Sequence, residues 1–289
     1  MKRLALSLPV LLVGLPLLGC LILAHTRNAD RKEVAPKAAP EPSIVVEVPK
    51  KGKLPKNAEM VELIKTQPAV FLEKCLAKYP RVVKTGYSLT LWKQEVLEGT
   101  EYKPELIEVV FRQDPHSVYF HWLEGARKAE RVIYVEGENK DRAGKSEMIV
   151  QPNGAFLRRF IVTRPVDGAD ARASGHYPLN DFGFQKNETR TYTAWKKNFA
   201  TGHEKVEYVG TEKVKELNDR ECWVVRSSTD TPEADGVCEL TSYWDTEWWL
   251  QTGSILKDKD GKEIGRYWFR DIKLNPEINA NQFTRETMK

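Results

Sequence analysis

The chain has 289 residues, of which 41% are hydrophobic and 30% charged, so it is too long for a mini-domain and apolar enough for an ordinary folded core. Its 45 basic and 41 acidic side chains leave a net charge of +4, a balance too even for a nucleic-acid binder, which concentrates basic charge on one face. Eight Trp, ten Tyr and ten Phe suit half-buried pleated surfaces and apolar pockets, and the four cysteines form no C-x-x-C pair, which removes the main support for zinc-ribbon and thioredoxin-like readings.

Lys2 and Arg3 open the chain, and an apolar run follows from Leu4 to Ala24. A basic start before an apolar stretch is the pattern of an export signal, with the basic end kept on the cytoplasmic side. Within the run, Leu17-Leu18-Gly19-Cys20 resembles a bacterial lipobox, in which the cysteine receives a diacylglyceryl group and becomes the new N-terminus. The apolar run continues past Cys20 through Leu21-Ile22-Leu23-Ala24, and at about 21 residues it is also long enough to cross a hydrocarbon core of ~30 Å as an uncleaved helix. Lipidation at Cys20, an uncleaved anchor and complete removal therefore all remain open for segment 1–24. The first two tether an extracytoplasmic domain to a bilayer, on the periplasmic face of the cell envelope.

Residues 25–57 are rich in Pro, Ala, Lys and Glu, as in Ala35-Pro36-Lys37-Ala38-Ala39-Pro40-Glu41-Pro42. Such a stretch has too little apolar surface to fold alone and reads as a disordered, semi-stiff spacer. Within it, Ser43–Val48 has the composition of an edge strand. The folded domain is assigned to 58–289. Met60, Val61, Leu63 and Ile64 predict a short helix, and Pro68 suits the first turn of a second. Leu72, Cys75, Leu76 and Tyr79 fall at i, i+3, i+4 and i+7, one apolar stripe ending before Pro80, with Cys75 on the buried side.

After Gly86 the period becomes two. Tyr87, Leu89 and Leu91 alternate with Ser88, Thr90 and Trp92, and similar runs occur at 107–111, 118–122, 131–135 and 148–150. Residues 151–180 carry several Pro and Gly and read as a loop-rich stretch with room for one short helix. Residues 186–199 suit a helix using Tyr192, Trp195 and Phe199. Strands resume at 206–209, 212–216, 220–227, 237–244, 254–257 and 264–272, with Asp260-Gly261 as a hairpin turn between the last two. The pattern predicts a mainly β (α+β) domain of about ten or eleven antiparallel strands with N-terminal and central helices.

Several stretches carry a resemblance: Tyr87-Ser88-Leu89-Thr90-Leu91-Trp92-Lys93-Gln94-Glu95, Glu108-Val109-Val110-Phe111-Arg112, Pro115-His116-Ser117-Val118-Tyr119 with Trp122, Tyr134-Val135-Glu136-Gly137, and Phe269-Arg270-Asp271-Ile272-Lys273-Leu274-Asn275-Pro276 with Phe283. Over residues 60–285 the chain resembles the LolA/LolB-like lipoprotein-carrier superfamily, and within it a branch of bacterial envelope domains of unknown function found mainly in planctomycete-type genomes. The resemblance implies a curved, incompletely closed antiparallel β-barrel with helices capping the concave side, able to hold an acyl chain or another apolar ligand. It brings no catalytic residues and no cofactor. The superfamily's carriers that ferry lipoproteins are soluble, whereas this chain reads as tethered, which favours a receptor-like, local role over shuttling.

Candidate chemistry is sparse. Gly144-Lys145-Ser146 has the end of a P-loop, but the first glycine that motif requires falls on Asn139. The five histidines, His25, His116, His121, His176 and His203, form no H-E-x-x-H, and there is no G-x-S-x-G. Cys222 and Cys238 fall on neighbouring predicted strands and are candidates for a disulfide, two unpaired thiols being the alternative. Trp92, Phe111, Phe120 and Trp122 are candidates for lining an apolar groove, with plain core packing as the alternative. Trp248-Trp249 must point opposite ways if they share a strand, leaving one of them outside or against a lid. The expectation is a non-catalytic, membrane-tethered binder or carrier whose partner is a lipid or an acylated protein. The alternative is a structural or protein-binding envelope module with a filled barrel.

Overall fold

A computed structural model describes residues 54–232 and 235–288. The export segment 1–24 with Cys20, the spacer up to residue 53 and the candidate strand at 43–48 lie outside the described residues. Helix α1 (Asn57–Thr66) is followed, after Gln67 alone, by α2 (Pro68–Val82). Pro68 occupies the first helical position, where an N–H would have no intrahelical partner anyway. α2 buries Phe71, Leu72, Cys75, Leu76 and Tyr79 along one face. It runs past Pro80, where the stripe alone predicts its end. Pro80 stands in the last turn, so little of the helix is left to break, and the Val83 N–H closes that turn on the Tyr79 carbonyl at 2.8 Å.

Seven strands come next: β1 (Gly86–Leu97), β2 (Thr100–Glu101), β3 (Glu105–Arg112), β4 (Ser117–Glu124), β5 (Ala129–Val135), β6 (Glu147–Pro152) and β7 (Val162–Pro165). A short helix α3 (Ala169–Arg172) and a long one, α4 (Phe184–Thr201), cross to the second group, β8 (Glu204–Val214), β9 (Arg220–Thr229), β10 (Glu239–Asp245), β11 (Gln251–Lys257) and β12 (Glu263–Leu274). All belong to one 12-stranded antiparallel sheet in the order β7-β6-β5-β4-β3-β1-β12-β11-β10-β9-β8, with β2 paired to β1 alone. Two meanders thus meet at β1 and β12, where Tyr87 lies opposite Leu274, Leu91 opposite Phe269 and Trp92 opposite Trp268. The outer edges, β7 and β8, do not pair with each other, so the barrel is not closed.

Strand alternation assigns the two faces. On the concave face of the second meander, α1, α2 and α4 bring Met60, Ile64, Phe71, Leu72, Tyr192 and Trp195 against Trp223, Val225, Trp244 and Trp249. Phe71 meets Trp223 edge-on at 5.9 Å and Trp244 at 5.2 Å, the arrangement aromatic quadrupoles prefer. Burying each of these side chains contributes roughly 1.5–3 kcal/mol. The convex face is covered too. After β12 the chain returns over the first meander, setting Phe283 and Met288 on Tyr119, Ile133, Val135 and Ile149. Burial on both faces explains why β5 and β6 read as nearly continuous apolar runs.

Two details depart from the strand count expected from the sequence. A bulge between Tyr208 and Gly210 keeps β8 continuous where the alternation reads as two strands. β2 is two exposed residues and β7 is four residues ending in Pro165, both too short to show a period. A further correction concerns the cysteines. Cys222 and Cys238 are both free. Cys222 begins β9 and lies opposite Asp245, whereas the Cys238 carbonyl accepts from the Thr229 N–H at the other end of β9. Antiparallel strands set the start of one beside the end of the next, so two cysteines near the starts of successive strands are a strand length apart. That is ~20 Å at about 3.3 Å per residue, far beyond the about 4.4–6.8 Å between Cα atoms that a disulfide spans.

On the convex side, Gly253 lies under the Trp268 ring, and a Cβ added there would approach ring carbon Cε3 to 2.5 Å. Gly253→Ala is expected to lower unfolding free energy by about 1–3 kcal/mol through overpacking. Urea denaturation followed by Trp fluorescence reads the change, and an unaltered midpoint would refute this account of the ring's seat.

Candidate functional site

A cavity of about 450 Å³ lies between the concave face of the sheet and the segment that runs from α3 into α4. Most of its wall is apolar, with Leu91 from β1, Phe120 from β4, Val132 from β5, Val150 from β6, Leu256 from β11 and Phe269 from β12, and Lys93, Glu95, Arg190 and Gln251 also line it. Ala171 of α3, Leu179, Phe182 and Ala194 of α4 form the other side. Gly183, the N-cap of α4 with φ at 131°, makes the bend between this roof segment and α4. A Cβ there would stand 3.1 Å from the Phe111 ring. Exposed Lys128, Arg164 and Asp170 border the cavity on the β5–β7 side.

Beside the apolar wall sits a buried charged cluster. The inward face of β1 changes from Tyr87, Leu89 and Leu91 to Lys93 and Glu95, and Glu105 stands on β3 next to them. Lys93 Nζ lies 2.9 Å from Glu95 and 3.2 Å from Glu105, and Arg127 Nε donates to Glu105 at 2.6 Å. Trp122 Nε1 donates to Glu105 at 2.9 Å and the Tyr267 hydroxyl to Glu95 at 2.6 Å. Two cations and two carboxylates thus neutralise one another. Burial pulls the Lys93 ammonium toward its neutral form, but Glu95 and Glu105 outweigh that and hold its pKa up. Burial likewise opposes the charge on Glu95, and Lys93 with the Tyr267 hydrogen bond holds its carboxyl below the usual range. The cluster also holds the roof. Arg127 and Lys93 donate to the Ser174 carbonyl at 2.7 and 3.3 Å, and the His176 N–H donates to Glu95 at 3.2 Å.

A second acid, Glu188 on α4, is fully buried among α2, α4 and β11. It accepts one long bond, 3.4 Å from the Gln251 N–H, and its Oε2 has no protein partner. Burial pushes its pKa well above the usual carboxylate range, which favours the neutral form. Gln251 lines the cavity and its own Oε1 also lacks a protein partner.

Of the four aromatic residues singled out in the sequence, Phe120 and Trp122 line the cavity together, their rings 5.8 Å apart. Phe111 instead stacks on Tyr87 at 4.5 Å inside the core. Trp92 projects from the convex face beside Trp268, because it occupies the even, outward register of β1. Trp249 is buried against Trp223 with Lys78 over its ring, while Trp248 lies under the Arg220 guanidinium at 3.6 Å. Gly144-Lys145-Ser146 belongs to a turn in which Asp141 accepts from the Ala143 and Lys145 N–H groups. His116 is buried beside Phe111, and burial together with nearby Lys186 lowers its pKa to about 4. His121 pairs with Glu108, His176 bonds the Ile264 carbonyl and His203 meets Asp230. Among the described residues no three His, Cys, Asp or Glu side chains converge as metal ligands. The charged cluster is not among the residues the sequence singles out, although Lys93 and Glu95 continue the odd register of β1 and so mark inward-facing charges.

Removing Lys93 leaves two buried carboxylates facing only Arg127. Lys93→Met is expected to cost about 3–5 kcal/mol in urea unfolding, and adding Glu95→Gln should restore part of it. A loss below ~1 kcal/mol would show that the cluster is well hydrated. The sign is opposite at Glu188. Its raised folded pKa means that its contribution is fully present below the unfolded carboxylate value and lost as pH rises, because only the unfolded chain ionises. Glu188→Gln is therefore expected to raise the melting temperature at pH 7–8 and to change it little at pH 4. Equal shifts at both pH values would contradict a raised Glu188 pKa.

No curated protein matches the chain. Among solved structures, MucB aligns at 13% identity with a TM-score of 0.47, over 76% of this chain and 63% of that one, so the chain spans less than two thirds of MucB. The Mycobacterium tuberculosis lipoprotein LppX aligns at 8% identity and a TM-score of 0.38, over 74% of this chain and 99% of that one. A LolA superfamily protein from Nitrosomonas europaea aligns at 11% identity and a TM-score of 0.27, over 75% and 98%. Residues 84–288 match the family described as a protein of unknown function, DUF1571, and with most of its length in that match the chain belongs to this family.

Proposed function

We propose that the domain is a non-catalytic binder or carrier of an apolar ligand, a lipid or the acyl chain of a lipoprotein, held outside the cytoplasmic membrane by a lipidated Cys20 or by an uncleaved N-terminal helix. The observation that supports this is the cavity of about 450 Å³ with its apolar wall. Its size falls in the range of small-molecule sites, ~300–1,000 Å³. Burial of apolar ligand surface there would contribute roughly 25 cal/mol per Å². The charged cluster tolerates such a ligand because its charges are already paired, so it demands no counter-ion from the guest. Movement of the segment from α3 to Gly183 would open the site, since polar contacts at Ser174 and His176 hold it beside β1.

Segment 54–289 contains every strand pair and every core cluster described above, so it carries its own fold. Titrated with an apolar fluorescent dye, it is expected to bind with one-to-one stoichiometry, and Ala171→Trp, which fills the cavity from α3, is expected to weaken binding about tenfold or more. Native mass spectrometry and organic extraction of the segment made in an exporting host identify the natural ligand class. A clean apo mass with no dye uptake would refute the proposal and favour a protein-binding module.

A further inference from the structure

Beyond the ligand, the structure offers a surface. Among the described residues five large hydrophobic side chains are exposed, and three of them, Phe156 at 65%, Leu157 at 53% and Phe160 at 50%, stand on one turn between β6 and β7. All seven residues from Gly154 to Phe160 are exposed. The turn is nevertheless built rather than slack. The Arg158 N–H bonds the Gly154 carbonyl at 3.0 Å, the Phe160 N–H bonds that of Leu157 at 3.0 Å, and Gln151 Nε2 donates to the Arg158 carbonyl at 2.9 Å. Phe156 and Phe160 touch edge-on at 5.6 Å, so the apolar groups form one patch.

The turn itself carries charge of a single sign, while Arg164 beyond it pairs with Asp170. Between Gln151 and Val166 the chain carries Arg158, Arg159 and Arg164 and no acid, and Arg285 reaches in from the C-terminal segment to the Ile161 carbonyl at 3.3 Å. Aromatic and aliphatic tips interleaved with arginines suit the boundary between acyl chains and anionic headgroups. The roots of the turn matter as much. Pro152, which ends β6, and Val162, which begins β7, both line the cavity.

We propose that the β6–β7 turn docks the domain on a bilayer bearing anionic headgroups, with Phe156, Leu157 and Phe160 entering the interface and Arg158 and Arg159 meeting the phosphates. Docked this way, the domain presents the β5–β7 side of its cavity to the membrane. An apolar molecule then passes between bilayer and cavity without crossing open water.

Segment 54–289, free of the apolar N-terminal run, is sedimented with phosphatidylcholine vesicles with and without phosphatidylglycerol. It is expected to partition onto the phosphatidylglycerol vesicles. Phe156→Ser/Leu157→Ser/Phe160→Ser is expected to weaken partitioning on the order of tenfold on any vesicle, and Arg158→Gln/Arg159→Gln to remove the preference for phosphatidylglycerol together with its salt sensitivity. Both variants change exposed side chains, and unchanged melting temperature and dye affinity would show an intact fold and cavity. Failure of the cavity reading thus appears in the dye titration, and failure of docking in the sedimentation. A wild type that stays in the supernatant, or a triple variant that partitions equally, overturns the proposal. So does a wild-type dimer that the triple variant abolishes while neither binds vesicles, which would make the patch a contact between two copies of the chain.

Discussion

The pairing of β1 with β12 is the constraint on which the rest of the molecule depends. Each meander is made of neighbours in sequence and can form locally, but neither alone encloses a space. Only when the final strand returns to the first do the two concave faces become one surface, with Leu91 and Phe269 side by side on the cavity wall. The same junction brings Tyr267 of β12 to Glu95 of β1, so the charged cluster is completed by the pairing that completes the sheet. Because this contact joins residues far apart in the chain, it carries a loop-closure entropy cost that the local hairpins do not.

The sheet uses polar and apolar burial for different ends. The apolar part of the cavity wall makes no directional demand, whereas the Lys93, Glu95, Glu105 and Arg127 group, which also lines it, fixes a geometry through paired charges and the bonds around them. That group touches the segment between α3 and α4 through a backbone carbonyl at Ser174 and a backbone N–H at His176. The same segment also packs Leu179 and Phe182 on the apolar wall, with the Phe182 ring 4.9 Å from Phe120, so opening it exposes apolar surface as well as breaking polar contacts. In the helical layer Phe71, Trp223, Trp244 and Trp249 interlock and leave α2 little freedom.

Much of this architecture is legible before any coordinates. Period-two alternation locates β1, β3 and β4, and the i, i+3, i+4, i+7 stripe from Leu72 to Tyr79 locates α2, because those patterns are local consequences of burying one face. What alternation does not supply is which face is inside. Trp92 and Leu91 are adjacent and both apolar, and only the β1–β12 register with the layer above decides that Leu91 faces the cavity and Trp92 the convex side. Phe111 shows a second limit: it has the inward register but stacks on Tyr87 below Gly183, so direction alone does not separate core from cavity wall. The cysteine pair fails for a third reason, since strand adjacency says nothing about position along the strand. The docking turn carries no period at all and is recognised by exposure, which is a property of the whole fold.

The placement of the thiols has a chemical consequence of its own. Cys75 is buried beneath the helical layer, and burial, reinforced by the nearby Glu188, pushes its thiol well up. Cys222 is buried on the convex side, where burial raises its thiol to about 12. Since the thiolate is the species that attacks disulfides and oxidants, both sulfurs are kept nearly inert without being cross-linked. Cys238 is half-buried and borders the cavity, and burial with nearby Asp258 raises its thiol as well. Access rather than acidity therefore sets it apart from the other two described thiols, and an adduct on this sulfur at the edge of the ligand space would compete with occupancy of the cavity for the same volume.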